Sequence, residues 1–455
     1  MKHLVKLATA LLTTAALAVS GASAVMAEGI TDEEVTLTYY TWWADAEQAM
    51  GNALIESFEE EYPNIHIDVN YIAESDYLSK INTLLAADSM PDVYYLNEFL
   101  VNDWGTSGNS ADLKPLFDQI GVDADETWVD TALYKVDDSI YGINYGSTTC
   151  ILYYNKAMFE EAGIEPPSTD GAVAWTWDQY VDAAIKLTKD MNGNTPADEG
   201  FDYDSCMQFG TTMASSWIYW LPALYAAGTA VADDAGENLL ITSPEAISAI
   251  QNIADLSAVH KCAPTAGVTD SVFSDAPAML MNGQLGMFIG GNFLLGNFDA
   301  ENFDVGIAAI PTQNDAPANT MVWSAAFSVS AKTEHPLEAA LFLSYMADFD
   351  NTVMASKNKG VPINTLPNTK NTLDESSETF AIWKELYNPS MAETSAGILA
   401  SASRKGENVT LKNFSVIMYE ILVPALDEVW IGEKTAEEAI GGIADKLASE
   451  LQGAW

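Results

Sequence analysis

A chain of 455 residues with 48% hydrophobic content is too long for one ordinary core and has ample apolar mass to bury, so two lobes are expected and general disorder is excluded. Its formal charge of −46, from 65 Asp+Glu against 19 Lys+Arg, excludes a general nucleic-acid binder, which needs a basic footprint, and argues against an anionic membrane surface as partner. Three cysteines, Cys150, Cys206 and Cys262, are an odd and sparse set that allows at most one bridge and forms no disulfide framework.

Residues 1–27 read as a secretory signal peptide. Lys2 and Lys6 form the basic start, Leu7–Val19 is an apolar run too short for a membrane span, and small residues lead to an expected cleavage after Ala27. No Cys stands at that site, so a lipid anchor is not indicated, and no other stretch is long and apolar enough to span a bilayer. A periplasmic or extracellular protein is expected.

A strand is predicted over Val35–Tyr40, followed by Thr41-Trp42-Trp43-Ala44-Asp45. Ala46–Tyr62 has helical spacing (Met50, Leu54, Ile55, Phe58) and stops at Pro63. Ile65–Val69 alternates as a second strand. Asp76–Ala87 carries Tyr77, Ile81, Leu84 and Leu85 on one helical face. Pro91–Leu96 reads as a third strand, ending in Asn97-Glu98. The order β-α-β-α-β predicts an α/β lobe with a largely parallel sheet. Ligands of such sheets sit beyond the carboxyl ends of the strands, which places Trp42, Trp43, Asp45, Asn97 and Glu98 along one rim.

Tyr141–Lys156 is punctuated by Gly142 and Gly146 and then runs into a buried strand, Cys150–Tyr154. It suits a crossing from one lobe to the other, with Tyr141, Asn144 and Tyr145 on a cleft wall; an ordinary turn and core strand is the alternative. Thr176 caps a helix over Trp177–Thr188. Ser215–Ala227 is aromatic and apolar, and Ser243-Pro244 opens a helix to about Val259. Gln284–Ile289 is a strand running into Gly290-Gly291-Asn292-Phe293, the candidate return crossing. Strands at Val305–Ile310 and Ala326–Ser330 follow, then helices over His335–Asp348, Glu378–Tyr387, Asn413–Trp430 and Thr435–Leu451.

Known catalytic motifs are absent: no Gly-x-Ser-x-Gly elbow, His-Glu-x-x-His pair, phosphate loop or Cys-x-x-Cys. His66, His260 and His335 read as structural. Acidic clusters such as Asp198–Asp204 lack the spacing of a calcium loop, so neither metal nor cofactor is expected. Twelve tryptophans, several at predicted strand ends, suit stacking on sugar rings beside hydrogen-bonding groups, although each singly is as easily a core residue.

Several stretches together resemble extracellular solute-binding protein family 1, the maltose-binding-protein-like carbohydrate-binding components of ATP-binding-cassette importers. They are Phe58–Ile65, Met90–Val93, Tyr141–Tyr145 with Tyr153–Lys156, Phe159–Ile164 with Trp175–Asp178, Asn282–Met287 and Gly432–Ala439. The resemblance implies a two-lobed α/β periplasmic-binding-protein fold of the class II type, with ligand between lobes joined by multiple hinge crossings. The expected division is 28–146 and 292–350 for the first lobe, and 147–291 and 351–455 for the second. The resemblance further implies a non-enzymatic monomer that binds a mono- or oligosaccharide and docks to a membrane permease. Carried over residue by residue, Trp42, Trp43, Trp217 and Trp323 are the stacking faces. Asp45, Glu98, Asn292 and Arg404 are the hydroxyl partners, and Asn97, Tyr145 and Gly291 line the cleft. Departures stand at Asn144, where Pro is common, at Phe293, often Trp, and at Trp323–Ala326, which lacks the usual glycines. The rivals are a secreted glycoside hydrolase, for which no distinct carboxylate pair is located, and the same fold binding glycerol phosphate, for which few basic residues remain.

Overall fold

The computed structural model describes residues 29–212, 215–268, 275–298, 302–313, 319–363, 365–387 and 404–455; the signal peptide expected at 1–27 lies outside them. The first strand, β1 (Val35–Thr41), buries alternate side chains. It pairs in parallel with β2 (Ile65–Tyr71) and β3 (Val93–Leu96), with helices α1 (Asp45–Glu61) and α2 (Glu74–Ala86) as the intervening connections. The predicted β-α-β-α-β order is therefore present. Helix α1 ends at Glu61, with Tyr62 as its C-cap, before Pro63, whose ring would clash with the preceding turn.

A hairpin of β4 (Leu133–Val136) and β5 (Ser139–Asn144) completes this sheet, together with β12 (Ala326–Val329), which inserts antiparallel between β3 and β5. The strand order is β2-β1-β3-β12-β5-β4. Asp92, in the Met90–Val93 stretch, stitches the sheet where three of these strands meet. One oxygen accepts from the Thr38 amide (2.8 Å) and hydroxyl (2.7 Å), the other from the Thr333 hydroxyl (2.6 Å). One face of the sheet is covered by Leu54, Phe58, Phe342 and Trp383, the other by Tyr77, Ile81, Val101 and Trp104.

The second sheet is built on β6 (Thr148–Asn155). It pairs with β9 (Met287–Gly291), with β10 (Val305–Ala308) and with β11 (Met321–Trp323); β11 in turn pairs with β13 (Arg404–Lys405). From Thr149 onward every β6 side chain is buried, as expected of a strand covered on both faces. Thr176 caps the helix Trp177–Leu187 as predicted, and Gln179 completes a capping box with it.

The chain first changes sheet between Asn144 and Thr148, inside the predicted crossing. The return differs from expectation. Gly290–Asn292 leads into a 3-10 turn, Asn292–Asn297, and the chain stays with the second sheet through β10 and β11. It changes back only between Trp323 and Ala326. Residues 349–387 then pack on the first core through Phe349, Val353, Leu366, Phe380 and Trp383, so neither 292 nor 350 bounds a lobe. Strand periodicity located β10 and β12 but missed β11, and it carried no information on which sheet would receive each strand.

Close packing brackets the first crossing. Ser147 donates its amide to the Leu366 carbonyl and its hydroxyl to the Pro367 carbonyl, each at 2.8 Å. The Asn368 amide donates to the Asn144 carbonyl (2.7 Å) and side-chain oxygen (3.0 Å), and to the Ala347 carbonyl (3.1 Å). Gly146 is required by close approach: a Cβ there would lie 2.7 Å from the Thr365 methyl.

Beside this brace, Asp348 caps the helix Phe349–Lys359 by accepting from the Asp350 amide at 3.0 Å. Burial, with the Asp350 charge next to it, pushes its carboxyl up to about 6. A raised carboxyl penalises the folded state once ionised, so its contribution is intact below the unfolded pKa near 4 and is lost as pH rises to about 6. Asp348→Asn, which keeps a good cap, is expected to stabilise the protein at pH 7.5 by on the order of 1 to 3 kcal/mol and to be near neutral at pH 4. Denaturant unfolding at the two pH values checks this, and equal effects at both would refute it.

Candidate functional site

The ends of β1 and β3, the two sheet crossings and the segment after β13 converge where the lobes meet. Trp42, at the end of β1, is half-buried, its ring centroid 4.9 Å from Tyr77 and 4.6 Å from Tyr95. Trp43 is 2% exposed and lies among Tyr39, Tyr95, Tyr145 and Phe327, with the Tyr145 ring at 4.8 Å. It is enclosed within the first lobe. Tyr145 belongs to the same cluster and is itself buried. The Asp45 backbone opens α1, but its side chain lies outside the described residues.

Asn97 caps the helix α3 (Glu98–Thr106) through its backbone conformation alone, with no side-chain cap bond. Glu98, in the first turn of α3, is buried, and burial raises its carboxyl above the usual range. Its Oε1 accepts from Asn408 Nδ2 at 3.0 Å.

Asn408 sits in a short segment that straddles the lobes. Glu407, 2% exposed, fastens it to the second lobe: its carboxylate accepts from the amides of Val231 (3.0 Å) and Ala232 (2.8 Å) and from the Tyr225 hydroxyl (3.2 Å). Val409 inserts into the first-lobe cluster of Tyr94, Leu96, Val101 and Trp104. Lys405 reaches the Leu133 carbonyl at 3.0 Å and Asp130 at 3.3 Å. The Arg404 backbone pairs with Met321, and its side chain lies outside the described residues.

From the second lobe comes an aromatic group. Trp217, buried at the start of the helix Trp217–Ala226, donates Nε1–H to the Tyr419 hydroxyl at 2.9 Å and meets Phe414 edge-on at 5.4 Å. Tyr419 is 46% exposed, and its ring lies 6.0 Å from Phe99 of α3, across the lobe junction. It stands in a π-helical turn, Val416–Leu422, that interrupts the helix predicted over Asn413–Trp430. Pro424 explains the widening: it has no N–H to give one turn back, and its ring crowds the carbonyl there. The freed Glu420 carbonyl instead lies 3.4 Å from Lys446 Nζ.

The remaining expected residues act as braces. Asn292, wholly buried, accepts from the Thr149 amide at 2.8 Å and donates toward the Ser147 carbonyl at 3.5 Å. The Gly291 carbonyl accepts from the Tyr153 hydroxyl at 2.8 Å. Trp323 is buried at the end of β11, opposite Thr148. Trp42, Asn97, Glu98 and Trp217 thus gather at the junction, whereas Trp43, Tyr145, Asn292 and Trp323 hold its walls. Phe99, Asn408 and Tyr419 escaped the sequence reading. The one signal for Tyr419 was Pro424 inside a predicted helix. Among the described residues no group of three or more His, Cys, Asp or Glu is placed to hold a metal ion.

A family model for bacterial extracellular solute-binding proteins matches residues 53–387. The chain belongs to this family. The family consists of solute-binding proteins, and among the described residues no helix is long and apolar enough to cross a membrane. Curated relatives include the multiple sugar-binding protein of Streptococcus mutans, 24% identical over 69% of this chain and 71% of that one. Another is the sn-glycerol-3-phosphate-binding periplasmic protein of Agrobacterium fabrum, 23% identical over 65% and 67%. Among solved structures, an ABC substrate-binding protein from Listeria monocytogenes in complex with cycloalternan superposes with a TM-score of 0.76 at 22% identity, covering 92% of this chain and 99% of that one. The maltose/maltodextrin-binding domain from Bdellovibrio bacteriovorus bound to maltotriose gives 0.70 at 19% identity over 91% and 98%. The fold is therefore the two-lobed one expected.

Glu407→Ala removes the acceptor for two buried amides and a buried hydroxyl. It is expected to cost about 3 kcal/mol or more in a denaturant melt, since each unmet buried donor carries its own desolvation penalty. A loss under about 0.5 kcal/mol would mean that the straddling segment is not held this way.

Proposed function

We propose that this protein captures a mono- or oligosaccharide between its lobes and delivers it to the permease of an ATP-binding-cassette importer. The observation that carries the reading is the meeting of an open aromatic face with a held hydrogen-bond acceptor at one junction. Tyr419 offers the face, fixed by Trp217, and Glu98 offers the acceptor. Pyranose C–H faces stack on such rings while their hydroxyls donate to carboxylate oxygen. Trp42 and Phe99 add apolar wall from the first lobe. Sugar named in several relatives supports the class. Ligand that touches both lobes favours the closed population through its differential affinity, and the permease reads that form. No chemistry is performed on the sugar. Export through the 1–27 leader, a monomeric state and a location outside the cytoplasmic membrane complete the reading.

Glycerol phosphate is the second reading, favoured by the Agrobacterium relative and by the likeness to a Mycobacterium tuberculosis protein in complex with glycerophosphocholine, with a TM-score of 0.74 at 21% identity. A phosphate needs an uncommitted cation or helix N-terminus. Lys405, the basic side chain described at the junction, is engaged with Asp130, and burial lowers its pKa.

Calorimetry with lactose, maltotriose, arabinotriose and glycerol 3-phosphate decides between them. At least one sugar is expected to bind and glycerol 3-phosphate not; the reverse pattern overturns the proposal. Tyr419→Ala is expected to weaken sugar binding by roughly tenfold, the scale of losing one buried aromatic anchor.

A further inference from the structure

The Glu98–Asn408 hydrogen bond joins two elements of different origin. Glu98 belongs to α3 of the first lobe. Asn408 belongs to the segment that Glu407 fastens to the second. Asn408 is 1% exposed, so the bond is shielded from water. It holds Oε1 of Glu98 and fixes the plane of the group, and the Glu98 backbone amide adds a local hydrogen bond to the same carboxylate. Asn102, one turn along α3, donates to the Val409 carbonyl at 3.4 Å and keeps the segment in register with the helix.

We propose that Asn408 is a positioning residue for ligand binding: it orients the Glu98 carboxylate so that its second oxygen receives a ligand hydroxyl, and it does so from the opposite lobe. The inference rests on the reading that Glu98 touches the ligand. The acceptor is thereby assembled by the fold rather than by α3 alone. If the lobes shift enough to withdraw Asn408, Glu98 loses its orientation. The other titratable groups facing Glu98 are Tyr95 and Tyr134 from the first lobe and Tyr419 from the second; burial raises all three phenols, so they stay neutral over the range in which Glu98 ionises.

A double-mutant cycle with lactose, maltotriose and arabinotriose tests the assignment. Asn408→Ala is expected to weaken binding of whichever sugar the wild type takes by roughly tenfold when Glu98 is present and by less than about twofold in a Glu98→Ala background, the mark of coupled neighbours. Asn408→Asp keeps the shape but sets two carboxylates against each other. It is expected to weaken binding at least as much while melting as a folded protein, which covers the case of Asn408→Ala failing to fold. A ligand-free measurement runs alongside: the Glu98 side-chain carbonyl is followed by carbon NMR through a pH titration. Its midpoint should rise in Asn408→Ala, because the lost hydrogen bond favoured the ionised form, and rise further in Asn408→Asp. Equal loss of affinity with and without Glu98 overturns the positioning role, as does an unmoved midpoint. A wild type that binds no sugar overturns the carbohydrate reading, whereas a sugar affinity unchanged by Glu98→Ala overturns the Glu98 contact and the positioning role with it.

Discussion

A backbone that passes between two sheets inside a protein must find partners for polar groups that no ladder serves, and this constraint governs the junction. At Asn144–Ser147 the answer is the segment Leu366–Asn368, which offers two carbonyls to Ser147 and one amide to Asn144. The Asn368 side chain also holds the Ala347 carbonyl, and the same carbonyl accepts from Trp128 Nε1 at 3.0 Å. The crossing is therefore tied to the helix that covers the first sheet. Asn144, whose role is obscure in the sequence, stands here as a side-chain acceptor for Asn368, a contact that proline at this position could not make.

The second tie between lobes works on the opposite principle. The 404–411 segment is not a crossing strand that continues one sheet into the other. It is fastened to the second lobe by a buried carboxylate and to the first by Val409 together with the Asn408–Glu98 bond and Lys405. Burial of Val409 is non-directional and modest, roughly 1.5 to 3 kcal/mol for a full side chain, while the Glu407 bonds are directional and shielded.

Much of the fold was legible because periodicity and punctuation are local. The β-α-β-α-β order, the stop before Pro63 and the Thr176 cap follow from neighbouring residues, and each stands in the structure. Sheet membership is not local: β10 and β12 read correctly as strands, yet only pairing, with β6 for the one and with β3 and β5 for the other, assigns them to different lobes. The same limit applied to the site. Composition and strand ends pointed to the Trp42, Glu98 and Trp217 region. They could not distinguish the half-open Trp42 ring from Trp43, one residue on and enclosed by four aromatics, because both sit after the same strand. Asn408 was invisible because its importance comes from a carboxylate 310 residues away in the chain.

On the proposed reading, the distribution of contacts matters more than their number. A ligand held by one lobe alone gains equally in every arrangement of the lobes and shifts nothing; taking a population from 1:99 to 99:1 requires about 5.5 kcal/mol of differential affinity. Tyr419 and Trp217 stand on one lobe, and Trp42, Glu98 and Phe99 on the other, so a ring lying between them gains most when both sides approach. The acidity of the whole chain acts in the same direction on ligand choice. A formal charge of −46 sets up a field that repels anions on approach and leaves neutral solutes unaffected. A junction whose described cation is already paired adds no local exception for a phosphate. Aromatic faces and a held acceptor in a negative field suit an uncharged polyol, and they leave its discrimination to shape and hydroxyl geometry.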